Sequence, residues 1–113
     1  MAEPDYTEYP PAGDFQPDRD IARIKMAPHS IEAERSVLGG ILIANDVWDS
    51  IVEVVSAADF YRHDHRVIFR QIAKLADSND PIDVITLSDR LAAAGELDSV
   101  GGLAYITDLV TDT

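Results

Sequence analysis

The chain has 113 residues, twenty-one acidic against nine basic side chains, a formal charge of −12 and no cysteine. That length suits one domain, and the missing thiols exclude disulfide frameworks and thiolate metal sites and fit a reducing cytoplasm, the expected location. The acidic balance repels nucleic-acid phosphates, so little direct DNA binding is expected. No apolar run nears the roughly 18 residues that cross a bilayer, and no basic-then-apolar secretion signal opens the chain, so no membrane partner is expected.

Residues 1–27 are rich in proline and acid and lack apolar periodicity. Such a segment buries too little surface to offset its ordering entropy, so a disordered acidic tail is expected there. Its aromatics Tyr6, Tyr9 and Phe15 read as part of a solvated arm. The ordered domain is expected over residues 28–113.

Ser30 is a candidate N-cap, with Glu32 and Glu34 placed near the positive end of a helix dipole. Val37, Leu38, Ile41 and Leu42 then make one apolar helical face. Gly39 and Gly40 sit inside it and cost roughly 1 kcal/mol each relative to alanine, which close approach of another helix would explain. Asn45 is expected to cap a second helix that buries Trp48, Ile51, Val52 and Val55. A short turn follows over Ser56–Tyr61.

A long helix is expected over His63–Asp77, with Ile68, Phe69, Ile72, Leu75 and Ala76 buried. Arg62, Arg66, Arg70 and Lys74 follow one another at four-residue spacing along it. They are the one concentrated basic feature, read as a solvated face or as a docking stripe for an acidic partner. The stretch "DSNDPID" carries turn chemistry. Val84 and Ile85 are expected to be briefly extended and buried. Thr86 should then cap a helix, with Asp89 three residues on, and Leu87 and Leu91 inward. Gly95 is the expected left-handed terminator. Gly101 and Gly102 turn the chain into a last helix that presents Leu103, Ile106, Leu109 and Val110 to the core. The sum is an all-α fold, a compact bundle of five or six short helices.

No reaction chemistry emerges. A phosphate loop needs a lysine and a hydroxyl after its glycines, whereas Gly101 and Gly102 precede Leu103, Ala104 and Tyr105, and no lysine or arginine occurs after Gly95. His63 and His65 lie two apart and diverge on a helix, which disfavours a shared metal. No cofactor or metal site and no catalytic residues are expected.

Four stretches together, "PHSIEAERSVLGGIL", "DFYRHDHRVIF", "PIDVITLSDRL" and "GELDSVGGLAYITDL", resemble the amino-terminal domain of the bacterial replicative DNA helicases, the DnaB family, from about Pro28 to Val110. The resemblance implies a hexameric ring that unwinds duplex DNA at the replication fork. Its motor is a separate RecA-like domain that binds ATP and Mg²⁺. Thr113 is then expected to interrupt a longer polypeptide, and the chain by itself is not expected to be an enzyme. The resemblance further implies a collar role with primase and replication initiation proteins as partners, and self-association, as a dimer of this fragment or within the full hexamer. The basic stripe Arg62, Arg66, Arg70 and Lys74 is the candidate partner contact. The alternative is a free-standing, non-enzymatic adaptor or decoy that binds helicase or primase.

Overall fold

The computed structural model describes residues 30–112, so the expected acidic tail lies outside the described residues. The described part is all-α and contains no strand. Helix α1 spans Ile31–Ile43, α2 Trp48–Val52, α3 His63–Asp77, α4 Val84–Ala93 and α5 Gly102–Thr111. Single 3₁₀ turns at Asn45–Val47, Ala57–Asp59 and Asp98–Val100 join them. Helix α1 packs on α5 and α3, and α4 packs on both α3 and α5.

Local chemistry sets these boundaries. The Ser30 hydroxyl accepts the Ala33 amide at 3.3 Å and so caps α1. The Ser56 amide donates to Asp59 Oδ2 at 2.8 Å, closing the turn before α3. Helix α3 stops where Asn79 enters the left-handed region at φ 57°, with the Asp80 amide reaching back to the Leu75 carbonyl at 2.9 Å. Helix α4 stops the same way: Gly95 has φ 73°, and the Glu96 amide bonds the Leu91 carbonyl at 2.8 Å.

One continuous core joins the helices. Leu38, Ile41, Ile51, Phe60, Ile68, Ile72, Leu75, Leu87, Leu91, Ile106 and Leu109 are fully withdrawn from water. Each such aliphatic or aromatic side chain stabilises the fold by about 1.5–3 kcal/mol relative to exposure. Phe69 stands 5.1 Å, ring to ring, from both Trp48 and Phe60, so α2 and the turn before α3 share one aromatic anchor.

Several local expectations are corrected. Asn45 does not cap α2. Its side chain ties two distant backbones together, donating to the Ile41 and Ile82 carbonyls at 2.8 and 2.7 Å and accepting the Ile82 amide at 2.9 Å. Val52 is exposed because α2 ends there and only Trp48, Ile51 and Val55 turn inward. The cap of α4 is Asp83, whose carboxylate accepts the Thr86 amide at 2.7 Å, so the cap falls three residues before Thr86, where it was expected. Val84 and Ile85 are therefore helical, Val84 half-buried and Ile85 exposed. Leu103 stands outward in the first turn of α5, and Ala76 is only half-buried.

Candidate functional site

The polar interior centres on α1. Glu34 shares a face with Val37, Leu38 and Ile41, and its side chain is almost completely buried. Its Oε2 accepts the Tyr61 amide at 2.6 Å and its Oε1 the Arg62 amide at 3.4 Å. These donors belong to the backbone just before α3, including one of the orphan amides that a helix start leaves unpaired. Oε1 also lies 2.7 Å from Nδ1 of His65.

His65 leads the buried stripe of α3, one turn before Ile68 and Phe69, and has no exposed surface. Its Nε2 lies 2.6 Å from the Tyr105 hydroxyl of α5. The imidazole and phenol rings stack, 5.9 Å between centroids and 21° between planes. The Phe60 ring stands nearly perpendicular to the imidazole, 6.4 Å between centroids. Burial lowers the His65 pKa below its ordinary 6.5, against the hydrogen bond it makes to Glu34 and the negative charge of Asp64. The neutral imidazole therefore donates Nδ1–H to the carboxylate and accepts the Tyr105 hydroxyl at Nε2.

A carboxylate, an imidazole and a hydroxyl in line have the form of a relay that activates a nucleophile. The electrostatics here run the other way. Burial raises the Tyr105 pKa, with the positive charges of Arg62 and Arg35 opposing it only in part. The two guanidinium groups lie over the phenol ring, 5.2 Å for Arg35 and 5.5 Å for Arg62. Each is held in turn by an acid, Arg35 by Asp112 and Arg62 by Asp64. The arrangement ties α1, α3 and α5 together and leaves the hydroxyl a poorer nucleophile than free tyrosine.

The four residues of the basic stripe divide into two pairs. Arg62 precedes α3 and is engaged with Asp64 and Tyr105. Arg66 donates from Nε to the Phe60 carbonyl at 2.8 Å and from Nη2 to the Tyr61 carbonyl at 2.7 Å, bracing the turn that Glu34 holds from the other side. Arg70 and Lys74 are exposed and join no ion pair among the described residues. The structure thus does not bring the four together as one free surface.

The glycines also differ. Gly39 and Gly40 are buried within α1. Gly95, Gly101 and Gly102 have φ of 73°, 106° and 73°. A Cβ at Gly101 would fall 2.6 Å from that of Tyr105, whereas one at Gly95 would meet open space. Among the described residues no group of three or more histidine and acidic side chains could hold a metal ion. No described helix is long and apolar enough to cross a membrane.

Sequence reading missed Glu34, His65 and Tyr105 as a set. The available signal was position. Glu34 falls on the apolar stripe of α1, His65 at the head of that of α3, and Tyr105 one turn before Leu109. Each is a polar residue at a core register, and three such residues on three helices can satisfy one another.

The fold and its interior define a small all-α domain whose buried polar groups Glu34 and His65 join helices together. The DnaB-like helicase N-terminal domain family model matches residues 26–113, and the chain belongs to that family. It is 50% identical over 93 residues, 82% of the chain, to the replicative DNA helicase DnaB of Buchnera aphidicola subsp. Acyrthosiphon pisum. It is 46% identical over 96 residues, 85% of the chain, to that of Haemophilus influenzae. The chain spans 20% of the length of each of these proteins. Among solved structures, the N-terminal domain of DnaB helicase from Mycobacterium tuberculosis superposes with a TM-score of 0.74 at 32% identity, covering 76% of this chain and 61% of that one.

Proposed function

We propose that this domain is the assembly and partner-docking part of a replicative DNA helicase, contributing to a collar on the ring and recruiting primase and initiation proteins. The family match over residues 26–113 carries this reading. The interior supports it, because Glu34, His65 and Tyr105 are fully occupied in joining helices. A rigid platform is what a docking surface needs. The net charge of −12 also disfavours contact with the unwound strand. On this reading ATP and Mg²⁺ are handled elsewhere in the helicase, and the domain works in the cytoplasm.

The test is a calorimetric titration of purified primase into the 113-residue chain, with the solution mass of each species recorded and nucleotide hydrolysis assayed alongside. Saturable binding to a folded chain that leaves nucleoside triphosphates intact is the expected result. Turnover by this chain alone, or the absence of binding to a chain shown to be folded, overturns it.

A further inference from the structure

The described residues carry fifteen acids against six bases. Four of those bases are engaged within the domain. Arg35 pairs with Asp112, Arg62 with Asp64 and Arg90 with Asp80, and Arg66 is turned onto the Phe60 and Tyr61 carbonyls. Arg70 and Lys74 join no ion pair and no side-chain hydrogen bond among the described residues. They stand one turn apart on the exposed side of α3, with His63 exposed two turns before Arg70. Asp77, exposed one turn after Lys74, pairs with neither. On so acidic a surface, this side of α3 attracts an anion where the rest repels it.

The chain carries a matching group of anions itself. Residues 1–18 hold Glu3, Asp5, Glu8, Asp14 and Asp18 and no lysine or arginine. They precede the described residues, and the chain enters the domain at Ser30, the cap of α1. Glu34, one turn into α1, accepts the Tyr61 and Arg62 amides just before α3. The point of entry therefore sits beside the start of α3. At 1.5 Å per residue Lys74 lies about 17 Å along that helix, whereas the eleven residues between Asp18 and Ser30 reach up to about 36 Å. So short a tether holds the segment at a millimolar effective concentration, at which individually weak surface pairs suffice.

We propose that the acidic opening segment, residues 1–18, docks on the Arg70–Lys74 side of α3 in its own domain and shields that face.

The contact is electrostatic and reversible. Arg19, Arg23 and Lys25 are nearer to the same acids in sequence, but three bases against six acids leave residues 1–29 net negative. An acidic partner of this face has to displace the segment first. That consequence rests on the docking reading above; the contact itself does not.

The chain has no cysteine, so Ala12→Cys takes a single nitroxide label in the 113-residue protein. Paramagnetic broadening of amide signals then maps what the segment approaches. The amides from Arg70 to Lys74 should broaden several-fold more than those of Asp89, Ala92 and Ala93 on the exposed side of α4. Raising the salt from about 0.1 M to about 1 M shortens the screening length from about 10 Å to about 3 Å and should remove the difference. Arg70→Glu with Lys74→Glu should remove it at low salt. So should Glu3→Gln, Asp5→Asn, Glu8→Gln, Asp14→Asn and Asp18→Asn together, a set that alters none of the described residues and keeps the test decisive if the helix variant folds poorly. Equal broadening of α3 and α4 at low salt, as pairing confined to residues 1–29 would give, or a preference for α3 that survives neutralisation of the five acids, overturns the proposal.

Discussion

His65 Nδ1 and Glu34 Oε1 lie 2.7 Å apart, with both side chains withdrawn from water. The carboxylate fixes the imidazole tautomer and so decides that Nε2 faces Tyr105 as an acceptor. One acid on α1 thereby sets the hydrogen bonding of a helix that starts nearly seventy residues later.

Glu34→Gln should destabilise the domain. The amide keeps the shape, but one of its ends is a donor, and the donors around it are the Tyr61 and Arg62 amides and His65 Nδ1–H. At least one buried donor then loses its acceptor, at a cost of about 1–3 kcal/mol. Urea denaturation followed by circular dichroism measures it, and a midpoint equal to the wild type would show that Glu34 does not hold this junction.

Stability should fall in mild acid. Burial depresses the folded-state pKa of His65 below 6.5, while the unfolded chain protonates it at that ordinary value. Between the two, the unfolded state carries the extra proton, so stability rises with pH there. The contribution is complete above about pH 6.5 and is lost as the pH drops through the folded value. His65→Gln should remove this slope relative to the wild type in urea midpoints taken from pH 7.5 to 5, and parallel curves would refute it.

The element order was legible because apolar periodicity reports faces. The stripe Ile68, Phe69, Ile72 and Leu75 placed α3 with its bounds, and Gly95 marked the end of α4. What escaped was long-range polar pairing. Glu34 looked like a helix-dipole residue because periodicity does not say that Tyr61 and Arg62 will offer it amides. Asn45 likewise looked like a cap, and its true partner, Ile82, is thirty-seven residues away. Asp83 and Thr86 are both chemically able to cap α4, and only the backbone shows which one does. The stripe at four-residue spacing was visible, but the carbonyls of Phe60 and Tyr61 that engage Arg66 were not.

Two glycine substitutions should differ in severity. Gly95→Ala meets no neighbour, so its cost is the left-handed backbone alone, about 1–2 kcal/mol. Gly101→Ala carries that strain and also drives a methyl to 2.6 Å from the Tyr105 Cβ, in the first turn of the helix that carries the phenol. It should cost more and should loosen α5 in particular. Thermal melts rank the pair, and equal melting temperatures would show that the Tyr105 contact yields freely.

Charge reversal on the basic stripe should separate folding from docking. Arg66→Glu removes two hydrogen bonds to the Phe60 and Tyr61 carbonyls and places an acid near the turn that Glu34 holds, so a loss of stability is expected whatever the partner. Arg70→Glu with Lys74→Glu changes two exposed side chains that join no ion pair among the described residues, so the melting temperature should stay near that of the wild type. If this face of α3 meets an acidic surface on primase, the double variant should bind more weakly and with a shallower salt dependence, because two cations have left the interface. Titrations at two ionic strengths decide it: a folded Arg70→Glu, Lys74→Glu protein with wild-type affinity and salt response would remove this face from the docking surface and direct the search to the exposed sides of α4 and α5.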